Sequence, residues 1–121
     1  MIIISLTSYP PESAVEMGKR FLDMPVLPNF ITMRGPYISS IIEEGIKGIT
    51  LYEFDESKYG EAFKVLSDRS AKFFGVPGFS YSLNHWLEAK DALKLVGLGQ
   101  FFFWNKGLKT KTIHYGGIEP W

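Results

Sequence analysis

Arg34, Tyr52, Asn84, Trp86, Tyr9 and Thr50 are the side chains in this 121-residue sequence whose types and placement could engage a small molecule. Arg34 sits inside the extended stretch FITMRGPYISS, where a guanidinium would hold a carboxylate or enolate through paired hydrogen bonds. The competing reading is a structural ion pair with Glu53. Tyr52 and Tyr9 carry hydroxyls able to donate to a substrate oxygen, although tyrosines on a sheet more often serve packing. In FSYSLNHWLE, alternation puts Ser80, Ser82, Asn84 and Trp86 on one side and Phe79, Tyr81, Leu83 and His85 on the other. His85 is by residue type a candidate general base, but a lone histidine on an apolar row is more often a hydrogen-bonded structural residue; His114 is assigned nothing.

Other chemistries find little support. The sequence has no cysteine, which removes disulfides, thiolate zinc sites and a cysteine nucleophile. Glu43 and Glu44 are adjacent in a turn and Asp55 and Glu56 start a helix, so no metal centre is expected. GFS and GLG lack the setting of a dinucleotide loop, and Ser8, Ser13 and Ser82 have no glycine-flanked nucleophile elbow. No cofactor is expected.

Thirteen basic residues balance thirteen acidic ones, so the net charge of zero offers no footprint for nucleic acid and little repulsion between copies. Hydrophobic residues at 45% and aromatics at 16% indicate a globular chain with aromatic surface to spend on a pocket or an interface. No stretch approaches the roughly twenty apolar residues of a membrane span. The opening MIIISLTSYPP is too short in its apolar run for a signal peptide. A cytoplasmic protein without a membrane partner is expected.

The elements that must position the candidates follow from pattern. IIISLTSY, Ile2 to Tyr9, reads as a strand stopped by Pro10 and Pro11, and Ala14, Met17, Gly18, Phe21 and Leu22 make one helical stripe. FITMRGPYISS and GIKGITLYEFD pair as a hairpin. Asp55 caps a second helix whose stripe is Tyr59, Ala62, Phe63, Leu66, Ser70 and Phe73, ended by Gly75 and Pro77. The strand FSYSLNHWLE follows, and EAKDALKLVGLG reads as a short appended helix. Residues 1–99 form the expected domain. Residues 100–121, an aromatic and basic tail, form a hairpin, a dimer arm or an appendage outside the fold.

The strand–helix–strand–strand–helix–strand order predicts an α+β domain: a four-stranded antiparallel sheet with both helices on one face. The expected helix-facing set is Ile2, Ile4, Leu6, Ile31, Met33, Ile49, Leu51, Tyr81 and Leu83. The expected open face carries Ser5, Thr7, Tyr9, Thr32, Arg34, Thr50, Tyr52, Phe54, Ser82, Asn84 and Trp86. A second copy would cover it and enclose a polar-aromatic space.

In element order and face chemistry, over about residues 2–99, the sequence resembles the dimeric α+β barrel superfamily of ferredoxin-like domains. That resemblance implies a homodimer through the sheet face, and activities as different as cofactor-independent monooxygenases, haem-degrading enzymes, lactone isomerases and stress-response proteins. The Asn84–His85–Trp86 run does not match the haem-degrading members, because adjacent strand residues cannot converge and the second helix has no histidine. Two readings remain. One is a homodimeric small-ligand-binding or stress-associated domain for an aromatic or acidic ligand. The other is a cofactor-independent monooxygenase or isomerase acting on an aromatic or enolisable molecule through Arg34, Tyr52, Asn84 and Trp86.

Overall fold

The computed structural model describes residues 1–98. The elements are β1 (Ile2–Tyr9), α1 (Ala14–Leu22), β2 (Thr32–Ile41), β3 (Gly45–Glu53), α2 (Tyr59–Ala71), β4 (Ser80–Trp86) and α3 (Ala89–Leu95), with single 3-10 turns at Pro11–Ser13 and Glu56–Lys58. Two compact units result, Met1–Trp86 and a second beginning at Leu87. In the second, α3 closes on Gly97, whose N–H donates to the Lys94 carbonyl and whose positive φ of 79° turns the chain so that the Leu98 N–H reaches the Leu93 carbonyl. The expected tail, residues 100–121, lies outside the described residues.

The first unit is α+β: four strands in the order β2-β3-β1-β4, each neighbour antiparallel. Its connections are pinned by specific contacts. Asp55 accepts hydrogen bonds from the backbone N–H and the hydroxyl of Ser57, at 2.9 and 2.7 Å, and so starts the second helical segment as its residue type predicts. Arg20 donates to Glu16 at 2.8 Å and to the Lys72 and Phe74 carbonyls at 3.1 and 2.8 Å, which ties α1 to the C-terminal end of α2. Ser13 donates to the Pro77 carbonyl at 2.6 Å, joining the start of α1 to the loop before β4.

Partners across antiparallel strands share a face, so the register decides what the helices cover. Ile3 stands opposite Tyr52 and His85, Ser5 opposite Thr50 and Leu83, and Thr7 opposite Gly48 and Tyr81. These rows meet the helices: Ile3, Ile31, Tyr52 and Phe54 form one core cluster with Ala62 and Leu66, and the Tyr59 ring lies 5.9 Å from the His85 ring. The other face carries Ile2, Ile4 and Leu6 of β1 opposite Glu53, Leu51 and Ile49 of β3 and opposite Trp86, Asn84 and Ser82 of β4. No helix among the described residues is long and apolar enough to cross a membrane.

This corrects the expected faces. The hydroxyl row Ser5, Thr7, Thr50 and Tyr52 lies beneath the helices, and the aliphatic row Ile2, Ile4, Leu6, Ile49 and Leu51 lies on the side they leave uncovered. Alternation within each strand is as expected, but the register breaks its extension across strands, since Arg34 pairs with Leu51 and Met33 with Tyr52. Register pairs Ser5 with Leu83 rather than Ser82. A β-bulge puts Gly35 and Pro36 together between the pairs Arg34–Leu51 and Tyr37–Ile49, so Tyr37 joins Arg34 on the open face. Gly35 is suited to that position, since its φ is 103° and a Cβ would stand 2.9 Å from the Ile49 carbonyl oxygen.

Candidate functional site

Between the helices and the hydroxyl-bearing sheet face lies a cavity of about 330 Å3, within the range of small-molecule sites. Its floor comes from the strands. Alternation along β1 turns Ser5, Thr7 and Tyr9 to the helix side, and β3 adds Thr50 and Tyr52. Thr7 leans across Gly48, where a Cβ would stand 2.6 Å from the Thr7 hydroxyl oxygen. On β2 the bulge brings Pro36 and Ile38 to the edge.

The roof is helical. On α1, Ala14, Met17, Gly18 and Phe21 line the cavity at the three- and four-residue spacings of one helix face. The end of α2 and the segment after it supply Arg69, Ser70 and Phe73, and Phe79 closes the β4 end. Gly18 leaves room, since nothing stands within 4 Å of a Cβ built there.

The floor is buried by position and polar by composition. Ser5, Thr50 and Tyr52 are only 7%, 9% and 8% exposed, and their side chains have no hydrogen-bond partner among the described residues. Ser70, also buried, donates to the Leu66 carbonyl at 3.1 Å. A buried hydroxyl without a partner costs about 1–3 kcal/mol. Three such groups side by side are therefore a costly feature for a plain core and a serviceable one for a polar guest. None of the described lining residues is a carboxylate or an imidazole.

The six candidate residues divide between two places. Tyr9, Thr50 and Tyr52 line the cavity. Arg34, Asn84 and Trp86 occupy the open face, where Arg34 pairs with Glu53 at 2.9 Å and Asn84 and Trp86 stand opposite Ile4 and Ile2. The expectation that all six border one enclosed space is thus corrected, because the register sends the two groups to opposite sides of the sheet. His85 and Trp86 do diverge as adjacent strand residues should. Pattern reading missed Arg69, Met17, Phe21 and Phe79 as site residues; the one signal pointing there was Ser70, a hydroxyl interrupting an apolar helical stripe. Among the described residues no three His, Cys, Asp or Glu side chains gather as metal ligands.

No family model matches the chain, and no curated protein matches it.

Proposed function

We propose that this chain is a small-ligand-binding domain of the ferredoxin-like type, that its ligand occupies the cavity between the helices and the sheet, and that two copies associate through the open sheet face. The observation that carries the binding reading is the floor: Ser5, Thr50 and Tyr52, nine-tenths buried and unpartnered among the described residues, in an otherwise largely apolar cavity. A guest with an apolar body and one hydrogen-bonding group would satisfy these hydroxyls and bury apolar surface against Met17, Phe21 and Phe73.

The order βαββαβ and the single antiparallel sheet support the ferredoxin-like assignment. Support for the dimer comes from the open face itself. Ile4, Leu6, Ile49 and Leu51 make a two-by-two aliphatic block flanked by Tyr37, Ile2 and Trp86, with Arg34, Glu53, Lys47, Ser39 and Ser80 around it. An apolar centre inside a polar rim is interface anatomy, and a two-fold contact requires only one such surface. The monooxygenase or isomerase reading relied on Arg34, Tyr52, Asn84 and Trp86 acting together, and Tyr52 stands on the other side of the sheet from the rest.

The test is a screen of small aromatic alcohols and acids by ligand-observed NMR, repeated on Gly18→Leu, which grows a side chain into the cavity from a position with open space, and on Trp86→Ser on the open face. Hits lost in Gly18→Leu and kept in Trp86→Ser are expected. Hits that vanish only in Trp86→Ser would move the site to the open face, and indifference to the whole panel would remove the binding reading.

A further inference from the structure

The chain has three arginines, and they stand in different circumstances. Arg20 is held by Glu16 and two backbone carbonyls, and Arg34 is paired with Glu53. Arg69 lines the cavity and has no carboxylate partner among the described residues; one nitrogen donates to the Pro25 carbonyl at 2.9 Å, and the rest of its N–H groups have no partner there. It is half-buried, whereas the floor residues Ser5, Thr50 and Tyr52 are nine-tenths buried. The Pro25 bond holds one edge of the guanidinium and leaves the remaining donors for an incoming group.

From this arrangement we propose that the cavity is selective for small aromatic acids, with the carboxylate bound to Arg69 at the rim and a second polar group bound by Ser5, Thr50 or Tyr52 at the floor. This rests on the cavity being the ligand site and adds the chemical class of the ligand. A guanidinium is weakly hydrated and presents parallel donors, so it binds a carboxylate better than a neutral oxygen. Met17, Phe21 and Phe73 line the same cavity, side chains that suit a flat ring. The volume of about 330 Å3 has room for a monocyclic acid. The lining residues place no acidic side chain against the anion.

Titration calorimetry on the full chain with 4-hydroxyphenylacetate, phenylacetate and 4-methylphenol tests this. The first carries both polar groups, the second lacks the floor group and the third lacks the carboxylate. The expected order has 4-hydroxyphenylacetate tightest, phenylacetate several-fold weaker and 4-methylphenol about ten-fold weaker, with only the two acids weakening as salt rises. Arg69→Met is expected to bring 4-hydroxyphenylacetate down to the level of 4-methylphenol, whose own affinity stays put, and Arg69→Lys to restore part of the difference. Because Arg69→Met also removes the Pro25 tether, the comparison of the three ligands on the unaltered chain decides by itself. If 4-methylphenol binds as tightly as 4-hydroxyphenylacetate, the carboxylate selectivity is wrong while the cavity remains a ligand site. If phenylacetate equals 4-hydroxyphenylacetate, the floor contact is wrong. If none binds at millimolar concentration, both this inference and the binding reading beneath it fall.

Discussion

At Thr50 a hydroxyl lies almost fully buried, directly across the sheet from the equally buried Ser5. Neither has a protein partner among the described residues, so each takes its hydrogen bond from whatever fills the cavity or goes without one. Thr50→Val keeps the side chain's shape and removes the oxygen. It is expected to raise the stability of the unliganded protein by about 1 kcal/mol, read as a higher urea midpoint at unchanged slope, and to weaken ligand binding. A loss of stability of that size would mean the hydroxyl is already well bonded. The pairing of Thr50 with Ser5 was beyond alternation alone, which says that a residue faces one side or the other but not what stands across from it. Tyr9, Thr50 and Tyr52 were recognisable as residues able to engage a ligand. Arg69 was not, because on a helical wheel it sits with the charged positions and only the tertiary fold brings the rim to it.

Among the elements, starts and stops were the most legible feature. Asp55 is a cap by residue type, and the structure gives it both a backbone and a hydroxyl donor from Ser57. The Ser57 backbone N–H first, and the Ser57 hydroxyl after it, hold the Asp55 carboxyl below the usual aspartate range. A group whose folded pKa is depressed stabilises the fold at pH values above its unfolded pKa, and that contribution disappears as pH falls through the folded value. The stability advantage of the natural chain over Asp55→Ala is therefore expected to be complete at neutral pH and to shrink on acidification through and beneath the ordinary aspartate range. Urea midpoints across that pH window check it; an advantage that does not change with pH would deny the carboxylate its role. The strands were less legible than the helices for a physical reason. Gly35 and Pro36 insert one extra residue into β2, and nothing local in GP announces whether it makes a turn, a bulge or a strand end.

For the molecule as a whole, the aliphatic row of the sheet faces away from the helices. Leu6 and Ile49 are 44% and 37% exposed, and Tyr37 and Trp86 beside them 58% and 51%. Reading the more hydrophobic row as the buried one is the usual inference, and here it fails, because the helices cover the hydroxyl row and its cavity and leave the greasier side uncovered. On this account the protein runs as a species of twice the monomer mass at micromolar concentration. Ile49→Lys is expected to halve that mass in light scattering while leaving the far-ultraviolet circular dichroism intact, since Ile49 touches the open face alone. A natural chain that is already monomeric would contradict the dimer.

The central claim is that ligand enters between helices and sheet, and the four methionines report on it directly. Met17 and Met24 line the cavity, and Met1 and Met33 do not. With 13C-labelled methionine methyl groups and 4-hydroxyphenylacetate added to saturation, the Met17 and Met24 resonances are expected to move well beyond the Met1 resonance. Resonances of Met17 and Met24 that stay in place while the ligand is demonstrably bound would put the site elsewhere.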